Sequence, residues 1–199
     1  MVRRLIDIVV SATILFALLP LLAVLALLVK VFLGGPVLFR QARPGLHAEQ
    51  FEMIKFRTMT SDVGADGVLL PDGERLRGFG RFLRSTSLDE IPGLWSVLKG
   101  DMSLIGPRPL LIQYLPLYSA EQARRHEIKP GITGWAQVNG RNSISWEEKF
   151  ALDVWYVDNR SMLIDMKIIF MTFWKVVGRR DVSESEQVTM PVFTGSPRR

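Results

Sequence analysis

From Ile8 to Val29 the chain runs 22 residues without a charged side chain, and only Ser11 and Thr13 are polar there. As one helix rising about 1.5 Å per residue, this segment would be roughly 33 Å long, close to the hydrocarbon thickness of a bilayer. It is longer than the apolar region of a secretory signal, and no small-x-small cleavage site follows it. The segment therefore predicts a chain attached to a membrane. Pro20 lies near its middle, where it removes a backbone donor and crowds the preceding turn, so a bend is expected. Arg3 and Arg4 precede the segment, while Lys30, Arg40 and Arg43 follow it, which leaves the positive-inside rule little asymmetry to act on. A kinked span and a bent segment with both ends at one face both satisfy these features, and the residues alone favour the span, since kinked spans are common.

The rest of the chain must fold in water or at the bilayer surface. With 199 residues, 48% hydrophobic and 23% charged, it is long enough to bury a core and too apolar for a disordered tail. There is no cysteine, which excludes disulfide scaffolds, thiolate zinc sites and cysteine nucleophiles together. His47 and His126 are the only histidines, expected in a loop and on a helix surface, so a multi-histidine metal site is excluded as well. The 25 Lys+Arg against 20 Asp+Glu leave a net charge of +5, which suits an anionic partner without choosing among phosphate, acidic lipid and nucleic acid. No nucleic-acid-binding motif or basic stripe accompanies it, so no nucleic acid is expected as partner. Chemistry in such a chain falls to carboxylates.

The fold class expected is α+β and mostly helical. Residues 1–35 form the membrane segment, 36–180 the main body and 181–199 a polar tail. Val37–Gln41 and Gln50–Met59 read as strands of a small hairpin, joined by the Pro-Gly turn Ala42-Arg43-Pro44-Gly45 and a polar connector. Residues 61–80, rich in Gly and Asp, read as a long loop. Three Ser-x-x-Glu/Gln spacings mark helix starts: Ser87 to Glu90, Ser119 to Gln122 and Ser145 to Glu148. The first opens a helix that reaches about Leu98 and stops at Gly100. Lys129-Pro130-Gly131 and Val138-Asn139-Gly140-Arg141 read as turns. Met162 to Val177 predicts an apolar helix with Lys167, Lys175 and Trp174, suited to a membrane interface or to an ordinary core.

Three stretches could carry chemistry. In Arg84-Ser85-Thr86-Ser87-Leu88-Asp89-Glu90-Ile91-Pro92, two adjacent carboxylates fall in the first turn of a helix, where the exposed amides and the dipole favour negative charge. Ordinary capping accounts for that placement too, but Arg84 just upstream could hold a phosphate against the carboxylates. In Pro107-Arg108-Pro109 the prolines fix the path around Arg108, which suits a guanidinium presenting its fork to phosphate oxygens, or a solvent-facing arginine in a stiff turn. In Lys55-Phe56-Arg57-Thr58-Met59, alternation puts Lys55, Arg57 and Met59 on one face and Phe56 and Thr58 on the other, the basic pair facing a nucleotide or water. Trp135, Trp146, Trp155 and Tyr156 could stack a base, with the core as the simpler place for each.

Together with Gln41-Ala42-Arg43-Pro44-Gly45, Lys99-Gly100-Asp101-Met102-Ser103, Lys129-Pro130-Gly131-Ile132-Thr133-Gly134 and Gln137-Val138-Asn139-Gly140-Arg141, these motifs make the chain similar to the bacterial sugar transferases. These are monotopic phosphoglycosyl transferases, and the resemblance runs from Arg4 to about Val177, nearest the small PglC-like form with one hydrophobic segment. It implies transfer of a sugar 1-phosphate from a UDP-sugar to undecaprenyl phosphate with release of UMP, at the start of membrane-bound glycan assembly. The family's ping-pong route implies Asp89 as nucleophile and Glu90 as its partner, both holding Mg²⁺. It implies phosphate-binding roles for Arg84 and Arg108, and for Lys55 and Arg141. Splitting the transfer in two spares one site from holding a soluble donor and a lipid acceptor together. The resemblance also implies a re-entrant helix-break-helix segment at Pro20, interfacial amphipathic helices, and a catalytic domain on the cytoplasmic face of the bacterial inner membrane. The family's break is a Ser-Pro pair, whereas Leu19 stands before Pro20 here. The PglC likeness further implies an N-acetylated amino or diamino sugar as donor. A non-catalytic membrane-anchored scaffold that binds anionic lipid or a partner protein is the competing expectation; it leaves the carboxylate pair and the Pro-Arg-Pro unexplained.

Overall fold

The apolar segment forms two helices instead of one. In the computed structural model, which describes residues 1–140, 144–177 and 192–195, α1 spans Val2–Ala17 and α2 spans Leu19–Leu33. They meet at Leu18 with a bend of 64°. Pro20 stands in the first turn of α2, where a missing N–H costs nothing, so the break falls two residues before the proline. Leu18 N–H still donates to Ile14 O and Leu18 O still accepts from Leu22 N, at 2.9 and 2.8 Å. Among the described residues no single helix is long and apolar enough to cross a membrane; the bent pair meets that test together, as a broken span or a re-entrant loop would.

The structure is mostly helical, with a small hairpin of β1 (Leu38–Pro44) and β2 (Gln50–Phe56). Ala42, Arg43 and Pro44 belong to the strand, so the turn lies later than the Pro-Gly sequence suggests. It is built by the 3-10 turn Leu46–Ala48 and closed by Gly45 N–H donating to Glu49 O at 2.7 Å. The chain divides into two compact units: Met1–Gln41 with Met53–Leu98, and Ala42–Glu52 with Lys99–Arg199. Compactness thus groups the apolar pair with part of the main body, where composition alone separates residues 1–35.

In the first unit, Leu25, Val29 and Leu33 form a stripe at every fourth position of α2 and pack with Phe56 of β2 and Leu83. Leu83 lies on α4 (Gly78–Ser85). Residues 61–80 are more ordered than a loop. They hold α3 (Asp72–Arg75), a bridge between Val63 and Leu69, and ion pairs of Asp62 with Arg77 and Asp72 with Arg75. The helix expected from Ser87 to Leu98 is a 3-10 turn, Leu88–Gly93, running into α5 (Leu94–Lys99). It ends at Gly100, whose φ of 98° suits a residue without Cβ.

In the second unit β3 (Ser103–Ile105) and β4 (Gly131–Thr133) pair in parallel, Ser103 opposite Gly131. The short α6 (Ala120–Ala123) and the long α8 (Trp146–Asn159) both start with complete capping boxes, at Ser119 and Ser145. Between them α7 (Trp135–Asn139) takes in Val138 and Asn139, which the sequence suggests as a turn. Helix α9 spans Met162–Val177 as its periodicity predicts. Its inner face carries Ile164, Asp165, Ile168 and Met171, while Leu163, Met166, Phe170, Phe173 and Trp174 are exposed. One face of α9 thus packs in the core with Ile128, Val138 and Tyr156, while the other is apolar and exposed. Of the polar tail, only residues 192–195 are described; Phe193 is buried among Tyr114, Tyr118, Trp146 and Phe150.

Candidate active site

In the first unit the carboxylate pair sits on the 3-10 turn that follows α4. Leu88 anchors that turn in the core of Leu25, Val29, Leu33 and Leu83, so the apolar helix α2 and the carboxylates share one packed body. The capping box expected at Ser87 does not form. Ser87 has φ 55° and ψ 18°, and its side chain makes no cap bond. The reason lies in the preceding helix. Thr86 is the C-cap of α4, and Ser87 is the left-handed residue that turns the chain out of it. An N-cap requires an extended backbone, and one residue cannot adopt both conformations. The Glu90 N–H donates instead to the Ser87 main-chain carbonyl at 3.2 Å. Pro92 lies within the same 3-10 turn.

Asp89 retains 5% exposure and Glu90 is half-buried. The nucleophile expected from the sequence is thus largely covered. Arg84, in the last turn of α4, donates from Nε to Thr58 Oγ1 at 3.0 Å, and the helix end packs against the carboxylate-bearing turn. Burial alternates along the strand end: Phe56, Thr58 and Thr60 are buried, and Lys55, Arg57 and Met59 half-buried, as the expected faces require. Lys55 Nζ lies 5.5 Å from the centre of the Phe39 ring on the neighbouring strand, a cation–π distance. Asp89, Glu90, Arg84 and Lys55 all belong to this unit. Arg108 belongs to the second unit, and Arg141 lies outside the described residues.

Arg108 is exposed while Pro107 and Pro109 on either side are buried, so its backbone is held and its side chain is offered outward. Other cations gather around it. Burial, and then the charge of Arg108, bring Arg43 down to about 10. Burial brings Lys149 down to about 8, with Arg108 and Arg125 adding to the shift and Asp153 opposing it. Burial is the larger cause of both shifts, and the neighbouring cations add to it. Arg43 stands in a turn-like sequence and Lys149 in a helix, and neither position stands out until the chain is folded. The expectation of a surface His126 is overturned: it is buried, its Nδ1 lies 3.3 Å from Gly45 O, and burial brings it down to about 4. His47 is exposed in the hairpin turn, as expected.

Metal fit can be judged from the donors. Among the described residues no three His, Asp or Glu side chains cluster to form a protein cage. Two adjacent carboxylates are nevertheless the protein share that Mg²⁺ commonly takes, substrate phosphates and water supplying the rest. Asp89 and Glu90 fit that share.

Compared with known proteins, the chain matches the model of the bacterial sugar transferases over residues 1–179. It is 58% identical over 168 residues to an uncharacterized sugar transferase, EpsL, of Bacillus subtilis (strain 168), covering 84% of this chain and 83% of that protein. It is 40% identical over 183 residues to the UDP-glucose:undecaprenyl-phosphate glucose-1-phosphate transferase of Klebsiella pneumoniae, covering 87% of this chain and 39% of that one. With the undecaprenyl-phosphate galactose phosphotransferase of Salmonella typhimurium it shares 38% identity over 196 residues, 90% of this chain and 41% of the other. The chain therefore spans most of the first relative and well under half of the other two.

Proposed function

The chain belongs to the bacterial sugar transferase family, and on that footing we propose that it moves a sugar 1-phosphate from a UDP-sugar to undecaprenyl phosphate and releases UMP. Relatives named for a UDP-sugar or for undecaprenyl phosphate support the two substrate classes. The observation that carries the reading is the packing of the Asp89–Glu90 turn on the apolar helix α2, which ties a carboxylate pair to the segment suited to the lipid.

In this reading an Asp89 oxygen attacks the β-phosphorus of the donor. A P–O bond forms to the carboxylate as the bond to UMP breaks, and UMP leaves with the bridging oxygen. A phosphate oxygen of the lipid then attacks the same phosphorus, the acyl-phosphate bond breaks, and Asp89 returns as a carboxylate. Asp89 and Glu90 would hold Mg²⁺, which offsets the negative charge gathered when anions meet. Arg84 and Arg108, with Lys55 and Arg141, bind phosphate oxygens. The bent pair α1–α2 enters and leaves one leaflet, both ends on the cytoplasmic side of the bacterial inner membrane, where UDP-sugars are found, and α9 lies in the interface. The donor class is an N-acetylated amino or diamino sugar, with glucose and galactose as the alternatives that the relatives supply.

The test is UMP release by the purified, membrane-reconstituted protein with undecaprenyl phosphate, Mg²⁺ and a panel of UDP-linked glucose, galactose, N-acetylated and di-N-acetylated sugars. One or more donors should turn over. Asp89→Asn should fall to background and form no covalent phosphosugar adduct by intact-protein mass spectrometry. Silence across the panel would favour the scaffold, and full activity of Asp89→Asn would move the nucleophile elsewhere.

A further inference from the structure

Arg125 is the largest fully buried side chain among the described residues. Its Nε and Nη2 both donate to Asp153 Oδ2, at 3.1 and 2.7 Å, and both side chains are nearly inaccessible. Nη1 donates to the Tyr118 hydroxyl at 3.3 Å, and the guanidinium lies 5.8 and 5.6 Å from the centres of the Tyr118 and Phe150 rings. The remaining donor direction leaves this cluster: Nη2 also donates to the main-chain carbonyl of Arg108 at 2.8 Å.

That last bond is where a structural explanation stops sufficing. A buried ion pair contributes little net stability compared with apolar residues of similar volume, because both ions lose their hydration. An apolar plug at positions 125 and 153 could fill the space between the rings, but it could not hold a carbonyl. The carbonyl held is that of Arg108, in a peptide whose next residue, Pro109, has no N–H. The prolines restrict the dihedral angles beside Arg108 but do not fix where the segment sits. A buried, charge-assisted donor does.

We infer that Arg125, oriented by Asp153, is a positioning residue that sets the Arg108 guanidinium for the donor's phosphates through the Arg108 carbonyl. The inference rests on the proposed phosphate-binding role of Arg108. It specifies a fork and not merely a charge: a lysine at position 125 could pair with Asp153 or reach the carbonyl, but could not present both bonds in this geometry.

The experiment is a double-mutant cycle read in donor KM and kcat, with Arg125→Lys, Arg108→Ala and the two combined, alongside Arg125→Met/Asp153→Leu, which removes the pair without leaving a buried charge. Arg125→Lys and the Met/Leu variant should each raise donor KM about tenfold while kcat stays within about threefold. On the Arg108→Ala background, Arg125→Lys should add almost nothing. Full additivity on that background, or an unchanged KM in the Met/Leu variant beside a raised KM in Arg108→Ala, overturns the inference alone. An unchanged donor KM in Arg108→Ala overturns the phosphate reading of Arg108, and the inference with it.

Discussion

His126 shows how far a residue's chemistry can depart from its sequence setting. It follows two arginines in a polar helical stretch, which reads as surface, yet it lies against the Gly45 carbonyl, 81 positions earlier in the chain. Burial, reinforced by the Arg125 charge, holds its pKa near 4 against an ordinary 6.5. Between those values the unfolded chain takes up a proton that the folded chain does not. Stability should therefore fall as pH drops from about 6.5 to about 4, by up to roughly 3 kcal/mol, and level off below. Urea midpoints of the detergent-solubilised protein across that range should show the slope, and His126→Asn should flatten it. No local pattern announces this burial, nor the Arg125–Asp153 pair, whose partners stand 28 positions apart. The carboxylates at 89 and 90 and the arginine between prolines, by contrast, stand out in the sequence because each motif is complete within a few residues.

Among elements, the three Ser-x-x-Glu/Gln spacings make a controlled comparison. At Ser145 the box closes: its Oγ accepts from Glu148 N at 3.2 Å, and Glu148 Oε2 accepts from Ser145 N at 2.8 Å. The Ser145 backbone N–H, and then its hydroxyl, hold the Glu148 carboxyl below its ordinary value. At Ser87 the same spacing fails because the residue must also turn the chain out of α4. Ser145→Ala should therefore cost about 1 kcal/mol, whereas Ser87→Ala should cost less than about 0.5 kcal/mol. Thermal or urea denaturation of the two variants side by side checks the contrast. Spacing is legible in a sequence; whether a preceding helix has already claimed the capping residue is not. Helix α9 is legible end to end because its period holds over 16 residues with no such competitor. The first hairpin strand runs three residues past its expected end because turn residues such as Pro44 are admitted at the end of a short strand, while the second starts at the expected Gln50 and ends three residues early, at Phe56.

For the molecule as a whole, the apolar helix pair does not behave as a detachable appendage. Leu25, Val29 and Leu33 of α2 supply three of the five buried side chains in the cluster they form with Phe56 and Leu83, and the carboxylate turn packs on them through Leu88. Deleting residues 1–35 should therefore unfold that unit instead of releasing a soluble enzyme. The truncated chain should be insoluble or protease-sensitive across residues 53–98; a soluble, protease-resistant product would show that the core survives without α2. The bent pair and the helical class could be read from composition and period, but this sharing of a core could not, since an uncharged run of residues says nothing about which of its faces protein will cover.

Arg4 fastens α1 to the end of α5, donating from Nη1 to Val97 O at 2.5 Å and from Nη2 to Leu98 O at 2.6 Å. Every amino acid brings the same carbonyl, so this clasp is blind to the spelling of the helix it grips. Residue 98 can drift across a population of sequences without loosening it, and all the heritable information for the joint resides in the codon for one arginine.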